Sequence, residues 1–354
     1  MKILLISLAG IGDTLLATPL VRELRANFPD ARIETLVLWA GSRDLFEGNP
    51  HLDAVHWCNF LKQSGTESLR FLLKLRNARF DVSINTHPQS RIHYRAVARI
   101  IAAPVRISHR YDCWRWFDRC LVNRILEQDY TRHTVEQNLD ALALVGGKVR
   151  FSEHRTEVFL SGAELEWAEA FVTERALSNR KLLGVHVGSG GTKNLKLKRW
   201  PLECYLELFR RLKYSRPALV PVFFGGPDEF DDINKIIEET GGDYAFHANT
   251  RNLRQAAALM KHCHAFLSVD TALMHLAAAM QVANQFVIEA PTLNATNLPY
   301  ANPFTLIENP AVHGRNLEFY RYDGRGIKGS KEELIRCMKA VSVEKVEEAL
   351  SRVF

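Results

Sequence analysis

A recurring pattern constrains this chain most: a short apolar strand, a glycine or polar turn, then a helix. It begins at once. Ile3–Leu8 reads as a buried strand, the turn that follows holds Gly10, Gly12 and one acid, Asp13, and a helix with Thr18-Pro19 in its early turns comes next. Further strands are expected at Arg32–Leu38, Ala54–His56 and Asp81–Asn85, with a short one at Arg106–Ile107. Helices are expected at Thr14–Asn27, Ser42–Glu47, Ser68–Asn77, Ser90–Ile101 and Val135–Leu144. Strands alternating with helices through short connections predict a doubly wound parallel sheet. Ligands of such sheets bind at the carboxyl ends of the strands, where Asp13 is placed.

The pattern then starts again. A strand-like link at Phe151–Leu160 and a polar helix at Gly162–Asn179 lead to a buried strand, Lys181–Val187. A helix at Pro201–Leu212, a strand at Ala218–Phe224, a helix at Asp228–Glu239 and a strand at Ala265–Val269 follow. A helix at Ser268–Met280, a strand at Gln285–Glu289 and a C-terminal helix at Val343–Val353 complete the second half. With 354 residues, two α/β domains are expected, 1–170 and 171–354, and the last helix could pack back on the first.

Composition narrows the function classes. Hydrophobic residues make up 47% and charged residues 24%, an ordinary globular balance. No apolar run approaches the roughly 18 residues that span a bilayer, and no separate apolar h-region with a cleavage site precedes the first strand, so a cytoplasmic protein is expected. The six cysteines are scattered without a C-x-x-C pair, which argues for reduced thiols and against a metal centre. Net charge is +6 and the pI near 9.0, favouring anionic partners. The basic residues are dispersed and no nucleic-acid motif accompanies them, so phosphorylated small molecules and lipids rank above nucleic acid.

Several segments could carry chemistry. Gly188-Ser189-Gly190-Gly191-Thr192-Lys193-Asn194 leaves a strand and Lys198-Arg199-Trp200-Pro201 opens a helix. Glycines let backbone N–H groups approach phosphate oxygens, and Lys198 adds a charge; an exposed basic loop is the plain alternative. Glu229, after Phe224-Gly225-Gly226-Pro227-Asp228, could receive ribose hydroxyls or be an ordinary first-turn acid. Ser268–His275 reads as strand end, polar turn and helix start, suited to an anion; Asp270 or Thr271 could equally cap that helix. Asp13 too could be a cap, and no G-x-G-x-x-G fingerprint follows because Leu15 holds its third position. The basic-aromatic run His109–Arg119 fits either lipid head groups or a partly buried helix with a charged outer face.

Taken in order, Gly10–Pro19, His186–Gly191, Lys198–Pro201, Phe224–Glu229, Val269–Ala279, Ala290–Thr292 and Ser342–Val346 resemble the motifs of glycosyltransferase family 9, the ADP-heptose:lipopolysaccharide heptosyltransferases. The resemblance implies a GT-B fold, with two Rossmann-like domains facing across a cleft, acceptor on the first and nucleotide sugar on the second. It implies that Asp13 is the catalytic base of an inverting, metal-independent transfer, with an ADP-sugar as co-substrate and no other cofactor. Donor contacts are expected from Ser189, Gly190, Thr192, Lys198, Glu229, Asp270, Thr271, Ala272 and His275, and acceptor contacts from Gly12, Thr14, His87 and Arg91. The acceptor would be an anionic glycolipid or glycan, with the enzyme peripheral to the inner membrane. Ala272 and Ala290 stand where the family carries glycine, and Thr86-His87-Pro88-Gln89 replaces a glycine-containing loop. A nucleotide-sugar hydrolase or epimerase, and a non-catalytic sugar-nucleotide-binding module, are the alternatives.

Overall fold

The computed structural model describes all residues except Thr192, Lys193 and Gly324, and it divides into two compact units. Met1–Phe159, joined by the described residues of 322–324, form the first; Leu160–Arg321 and Arg325–Phe354 form the second.

The first unit holds β1 (Lys2–Ser7), β2 (Arg32–Val37), β3 (Ala54–Trp57), β4 (Val82–Asn85), β5 (Val105–Arg110) and β6 (Arg124–Glu127). They pair in the order β3-β2-β1-β4-β5-β6, every pair parallel. The second unit holds β7 (Lys181–His186), β8 (Leu219–Phe223), β9 (Phe246–His247), β10 (Ala265–Ser268), β11 (Asn284–Ile288) and β12 (Phe304–Ile307). Their order, β12-β11-β10-β7-β8-β9, is the same winding: the first strand of the unit lies beside its fourth, and the chain runs outward from there in both directions. This is the doubly wound Rossmann order. Among the described residues no helix is long and apolar enough to cross a membrane.

Three strands that the sequence reading lacks, β6, β9 and β12, are all sheet edges. They are short and half-exposed, so they carry no apolar run that marks a buried strand. The expected helix Thr14–Asn27 is two helices, Ile11–Leu15 and Thr18–Asn27. Pro19 sits in the first turn of the second, where its missing N–H costs nothing, whereas one continuous helix would lose a bond there. Helix Gly65–Asn77 starts three residues before its expected position, because Ser64 accepts the Glu67 N–H while Glu67 accepts the Ser64 N–H.

The expected strand Phe151–Leu160 is absent. Its backbone donors go to side chains of helix Thr18–Asn27: the fully buried Glu23 carboxylate accepts the N–H groups of Arg150 and Phe151, and Thr18 Oγ1 accepts that of Glu157. Helix Gly162–Glu174 packs with the second unit, against helix Leu253–Met260. There Glu164 meets Arg254 at 2.5 Å, and this bond holds the Glu164 carboxyl down at about 2. The C-terminal helix Val343–Leu350 packs within the second unit. Val346, Ala349 and Leu350 enter the core built on Leu183, Phe209 and Phe223, and Trp200 Nε1 donates to Val341 O at 2.9 Å.

Under the first sheet lies a fully buried ion pair. Arg95 Nε meets Asp118 Oδ1 at 2.7 Å, Arg95 Nη1 donates to Ser90 O at 3.0 Å, and Asp118 Oδ2 accepts the Arg115 N–H at 2.7 Å. Breaking such a pair leaves an uncompensated buried charge. Asp118→Ala is therefore expected to lower unfolding free energy by about 3–5 kcal/mol in urea titrations, whereas Arg95→Met with Asp118→Leu together recovers most of it. Equal stability of Asp118→Ala and the parent would contradict this assignment.

Candidate active site

In both units the polar residues gather where first and fourth strands lie side by side. In the first unit β1 ends at Ser7 and helix Ile11–Leu15 begins four residues on. Asp13 is half-buried, and its Oδ2 accepts the Gly10 N–H at 2.7 Å. A side chain at position 10 would place Cβ 2.9 Å from that oxygen, so the close approach requires glycine. The capping alternative for Asp13 thus describes one of its oxygens, within the first helical turn. Gly12 is half-exposed beside it.

Thr14 and His87, expected as acceptor contacts, are both interior residues. Thr14 is fully buried; its hydroxyl bonds Ser42 Oγ at 2.8 Å, donates to Gly10 O and accepts from Ser7 Oγ. His87 follows β4 and is also fully buried, with a cis bond to Pro88. Its N–H donates to Asn138 Oδ1 at 2.7 Å, Nδ1 lies 3.1 Å from the Tyr111 hydroxyl, and its ring stacks on Tyr111 and meets Tyr322 edge-on. Both residues build the floor of the strand ends: the Thr14 hydroxyl is engaged there, while His87 keeps its Nε2 buried and without a hydrogen-bond partner. Gln89 completes that floor, accepting the Leu8 N–H at 3.2 Å and donating to Thr86 O at 2.9 Å. Arg91 is half-buried at the start of helix Ile92–Ile101. Tyr94, which the sequence reading missed, lies within electrostatic reach of both Arg91 and Asp13: burial raises its hydroxyl, Arg91 lowers it and Asp13 raises it. A tyrosine one turn into a helix after a strand end was the available signal.

In the second unit β7 ends at His186 and β10 at Ser268, and these two are register partners. Thr271 therefore arrives beside His186, with Oγ1 3.1 Å from Nδ1, while the same oxygen caps helix Ala272–Ala279 by accepting the Met274 N–H at 3.3 Å. Lys198 is buried with Nζ 3.1 Å from Asp270 Oδ2, and His275 Nε2 lies 3.9 Å from Asp270 Oδ1. Thr292 also hydrogen-bonds Asp270. Burial opposes the Asp270 charge, but Lys198, His275 and Thr292 outweigh it, so the carboxyl titrates below its ordinary value. Ala272 is half-exposed at the first position of the helix, whose free N–H groups and dipole favour an anion.

A Cβ on Gly188 would fall 2.6 Å from the Glu229 carboxyl group, so this glycine makes room for that carboxylate, while one on Gly225 would fall 2.8 Å from Ile233 Cδ1 and 2.9 Å from Glu229 Cβ. Glu229 is held there by Arg199 Nη2 at 2.6 Å and by the Gly226 N–H at 3.0 Å. Arg199, which also donates to Ser189 O at 3.1 Å, had no role in the sequence reading. Ser189 is buried with its hydroxyl donating to Leu195 O at 2.7 Å, and Gly190 is exposed. Thr192 lies outside the described residues. Arg199 further borders a groove of about 400 Å³ with Trp200, Glu203, Asp232 and Lys339; none of the expected donor residues lines it. Among the described residues, no three His, Cys, Asp or Glu side chains form a metal-binding group.

A buried cation, a half-buried carboxylate, a neutral imidazole and a helix N-terminus meet at this switch point. The model of glycosyltransferase family 9 (heptosyltransferase) matches residues 68–285, well over half of the chain. The chain belongs to glycosyltransferase family 9. It is a sugar-transferring enzyme of GT-B fold, two Rossmann-like domains with one parallel sheet each.

Family 9 relatives extend the match. Lipopolysaccharide heptosyltransferase 3 of Escherichia coli K12 is 25% identical over 76% of this chain and 77% of its own length. Lipopolysaccharide heptosyltransferase 2 of Salmonella typhimurium is 28% identical over 79% and 80%. Among solved structures, a family 9 glycosyl transferase of Veillonella parvula superposes with TM-score 0.77 at 20% identity, over 99% of this chain and 96% of that one. ADP-heptose LPS heptosyltransferase II of E. coli does so at 0.73 and 21%, over 100% and 98%. At these identities the superpositions establish the shared fold.

Four buried histidines give this family 9 enzyme a defined acid response. Burial pushes His87 well below its usual range, His109 to about 4, His186 to about 3 and His275 to about 4, with Asp270 raising and Lys198 lowering the last. All folded values lie below the ordinary 6.5, so above it neither state takes up protons and stability is flat. Below it the unfolded chain protonates first and stability falls until the folded values are reached. At about pH 5 each should cost on the order of 1–2 kcal/mol. Urea unfolding at neutral and mildly acid pH checks this, and a midpoint that rises on acidification would refute it.

Proposed function

We propose that this enzyme transfers a heptose, or a related sugar, from an ADP-sugar to a lipopolysaccharide inner-core or related glycan acceptor, with inversion and without a metal ion. The family membership and the two lipopolysaccharide heptosyltransferases support the sugar and the acceptor class. An E. coli heptosyltransferase, WaaC, with TM-score 0.69 and 17% identity, has been solved with ADP-2-deoxy-2-fluoro heptose, which supports the donor class. The observation that carries the reading is the cradle at the β7/β10 switch point, where Lys198, Asp270, Thr271 and His275 converge.

In this reading the second unit holds the donor diphosphate. Lys198 turns from Asp270 toward the phosphate oxygens, the N–H groups at the start of helix Ala272–Ala279 donate to the remaining ones, and Glu229 meets the ribose. These groups stabilise the diphosphate as it leaves. The first unit supplies the base. Asp13 takes the proton of an acceptor hydroxyl as that oxygen bonds to the anomeric carbon from the face opposite the departing ADP. The bond from that carbon to the phosphate oxygen breaks with its electron pair on ADP, and configuration inverts. Lys198 supplies the positive charge that a divalent ion would otherwise bring. The acceptor class puts the enzyme at the cytoplasmic face of the bacterial inner membrane.

Asp13→Asn is expected to lower kcat by about 10²–10⁴ while ADP affinity, measured by calorimetry, stays unchanged. Wild-type turnover in that variant would remove Asp13 as the base. Lys198→Ala should weaken ADP binding about 10- to 100-fold, the worth of one charge-assisted hydrogen bond, and slow turnover. Unaltered affinity would take Lys198 out of the donor site. Both assays are run in EDTA, where the parent keeps its full rate; a rate that only magnesium restores would overturn the metal-free step.

A further inference from the structure

The first unit carries a face whose composition departs from the rest of the chain. Residues 61–79 and 91–121 contain twelve lysines and arginines against three acids, an excess larger than the whole chain's net +6. Arg95 and Asp118 cancel as a buried pair and Arg110 pairs with Glu127, so ten lysines and arginines remain against two exposed acids, Glu67 and Asp112. Glu67 is engaged at the Ser64 cap, Asp112 accepts the Tyr130 hydroxyl at 2.7 Å, and Asp118 is buried against Arg95.

Large apolar side chains stand among these charges. Leu61 is 68% exposed, Leu69 46%, Leu73 41%, Ile92 45% and Trp116 83%. The elements that carry them form one layer. Helix Gly65–Asn77 packs on helix Ile92–Ile101, which packs on the short helix Asp118–Leu121. Leu72, Leu75, Ala98, Ile101 and Trp114 from this layer share one core cluster with Leu4 and Ile6 of β1. Leu69 and Leu73, one helical turn apart, form an outer stripe beside Arg70, Lys74 and Arg76.

Trp116 is displayed rather than loose. Its turn is fastened from beneath by the buried Arg95–Asp118 pair, by the Arg115 N–H on Asp118, and by Trp114 under the Arg95 guanidinium at 5.0 Å. That turn follows β5, the neighbour of β4, so it emerges at the same sheet edge as Asp13 after β1 and Arg91 after β4. Of the basic-aromatic run, His109 and Tyr111 are therefore interior residues, while Arg115, Trp116 and Arg119 point outward.

We propose that this face, helix Gly65–Asn77 with the Trp116 turn, docks the enzyme on an anionic lipid bilayer. Apolar side chains inserted at the head-group boundary and a surrounding set of arginines and lysines are the chemistry such a surface recognises. The docking takes from the proposed transferase reading only the reason for it, an acceptor carried by a membrane lipid. It orients the edge that bears Asp13 toward the layer in which that acceptor is embedded.

The full-length protein is sedimented with vesicles of phosphatidylcholine alone and of phosphatidylcholine mixed with phosphatidylglycerol. Binding is expected only to the mixed vesicles and should weaken with salt. Arg115→Gln with Arg119→Gln should reduce it by about five-fold per charge removed. Trp116→Ala should reduce it about ten-fold. Lys235→Gln with Lys261→Gln, an equal charge change on the second unit, should leave it intact. All variants should keep the parent's unfolding midpoint and its turnover on a water-soluble acceptor fragment, because their side chains are exposed. Equal binding to both vesicle types, or identical loss in the two charge variants, overturns the proposal. So does a dimer in light scattering that Trp116→Ala splits, which would assign the face to a second copy. Failure of ADP binding or turnover in the parent would instead strike the transferase reading and leave the vesicle result standing.

Discussion

Parallel pairing governs everything else in this protein. In a sheet whose first strand lies beside its fourth, the two chain directions diverge at that junction, and the loops leaving the two carboxyl ends open a space between them. The chain makes this junction twice. At β1 and β4 it collects Asp13, Gln89 and Arg91, and at β7 and β10 it collects His186, Lys198, Asp270 and Thr271. Residues separated by more than seventy positions meet there because the register Ser268↔His186 leaves them no other place.

Electrostatics within the second junction are arranged before any ligand arrives. Lys198 and Asp270 sit as an ion pair, with the neutral imidazole of His275 beside them. In the proposed reaction the diphosphate takes Lys198 from Asp270, and the Asp270 carboxylate keeps His275 and Thr292 beside it. Arg199 has the corresponding duty for Glu229, which it holds against a wall that two glycines keep clear. In the first junction the Asp13 carboxylate accepts a backbone N–H, that of Gly10.

The glycines show how a motif can be visible while its reason is hidden. Gly188 belongs to a segment that reads as a phosphate loop, and what lies in the space of its missing side chain is the Glu229 carboxyl group. The resemblance pointed to Thr14 and His87 as acceptor contacts, whereas their burial and hydrogen bonds are collective properties of the neighbours. Edge strands β6, β9 and β12 escaped for the opposite reason: their stability comes from one paired side, so their composition carries little pattern.

Apolar runs, glycine turns and helix starts are local in the chain, so the sequence by itself determined the two-fold α/β repeat, most central strands, and the positions of Asp13, Lys198, Glu229 and Asp270 at strand ends. Pairing and burial are decided by residues far apart, and only the tertiary structure could settle which side chains meet. It brought Lys198 to Asp270 and Arg199 to Glu229, folded His87 and Thr14 into the floor, and turned Trp116 outward over a buried ion pair.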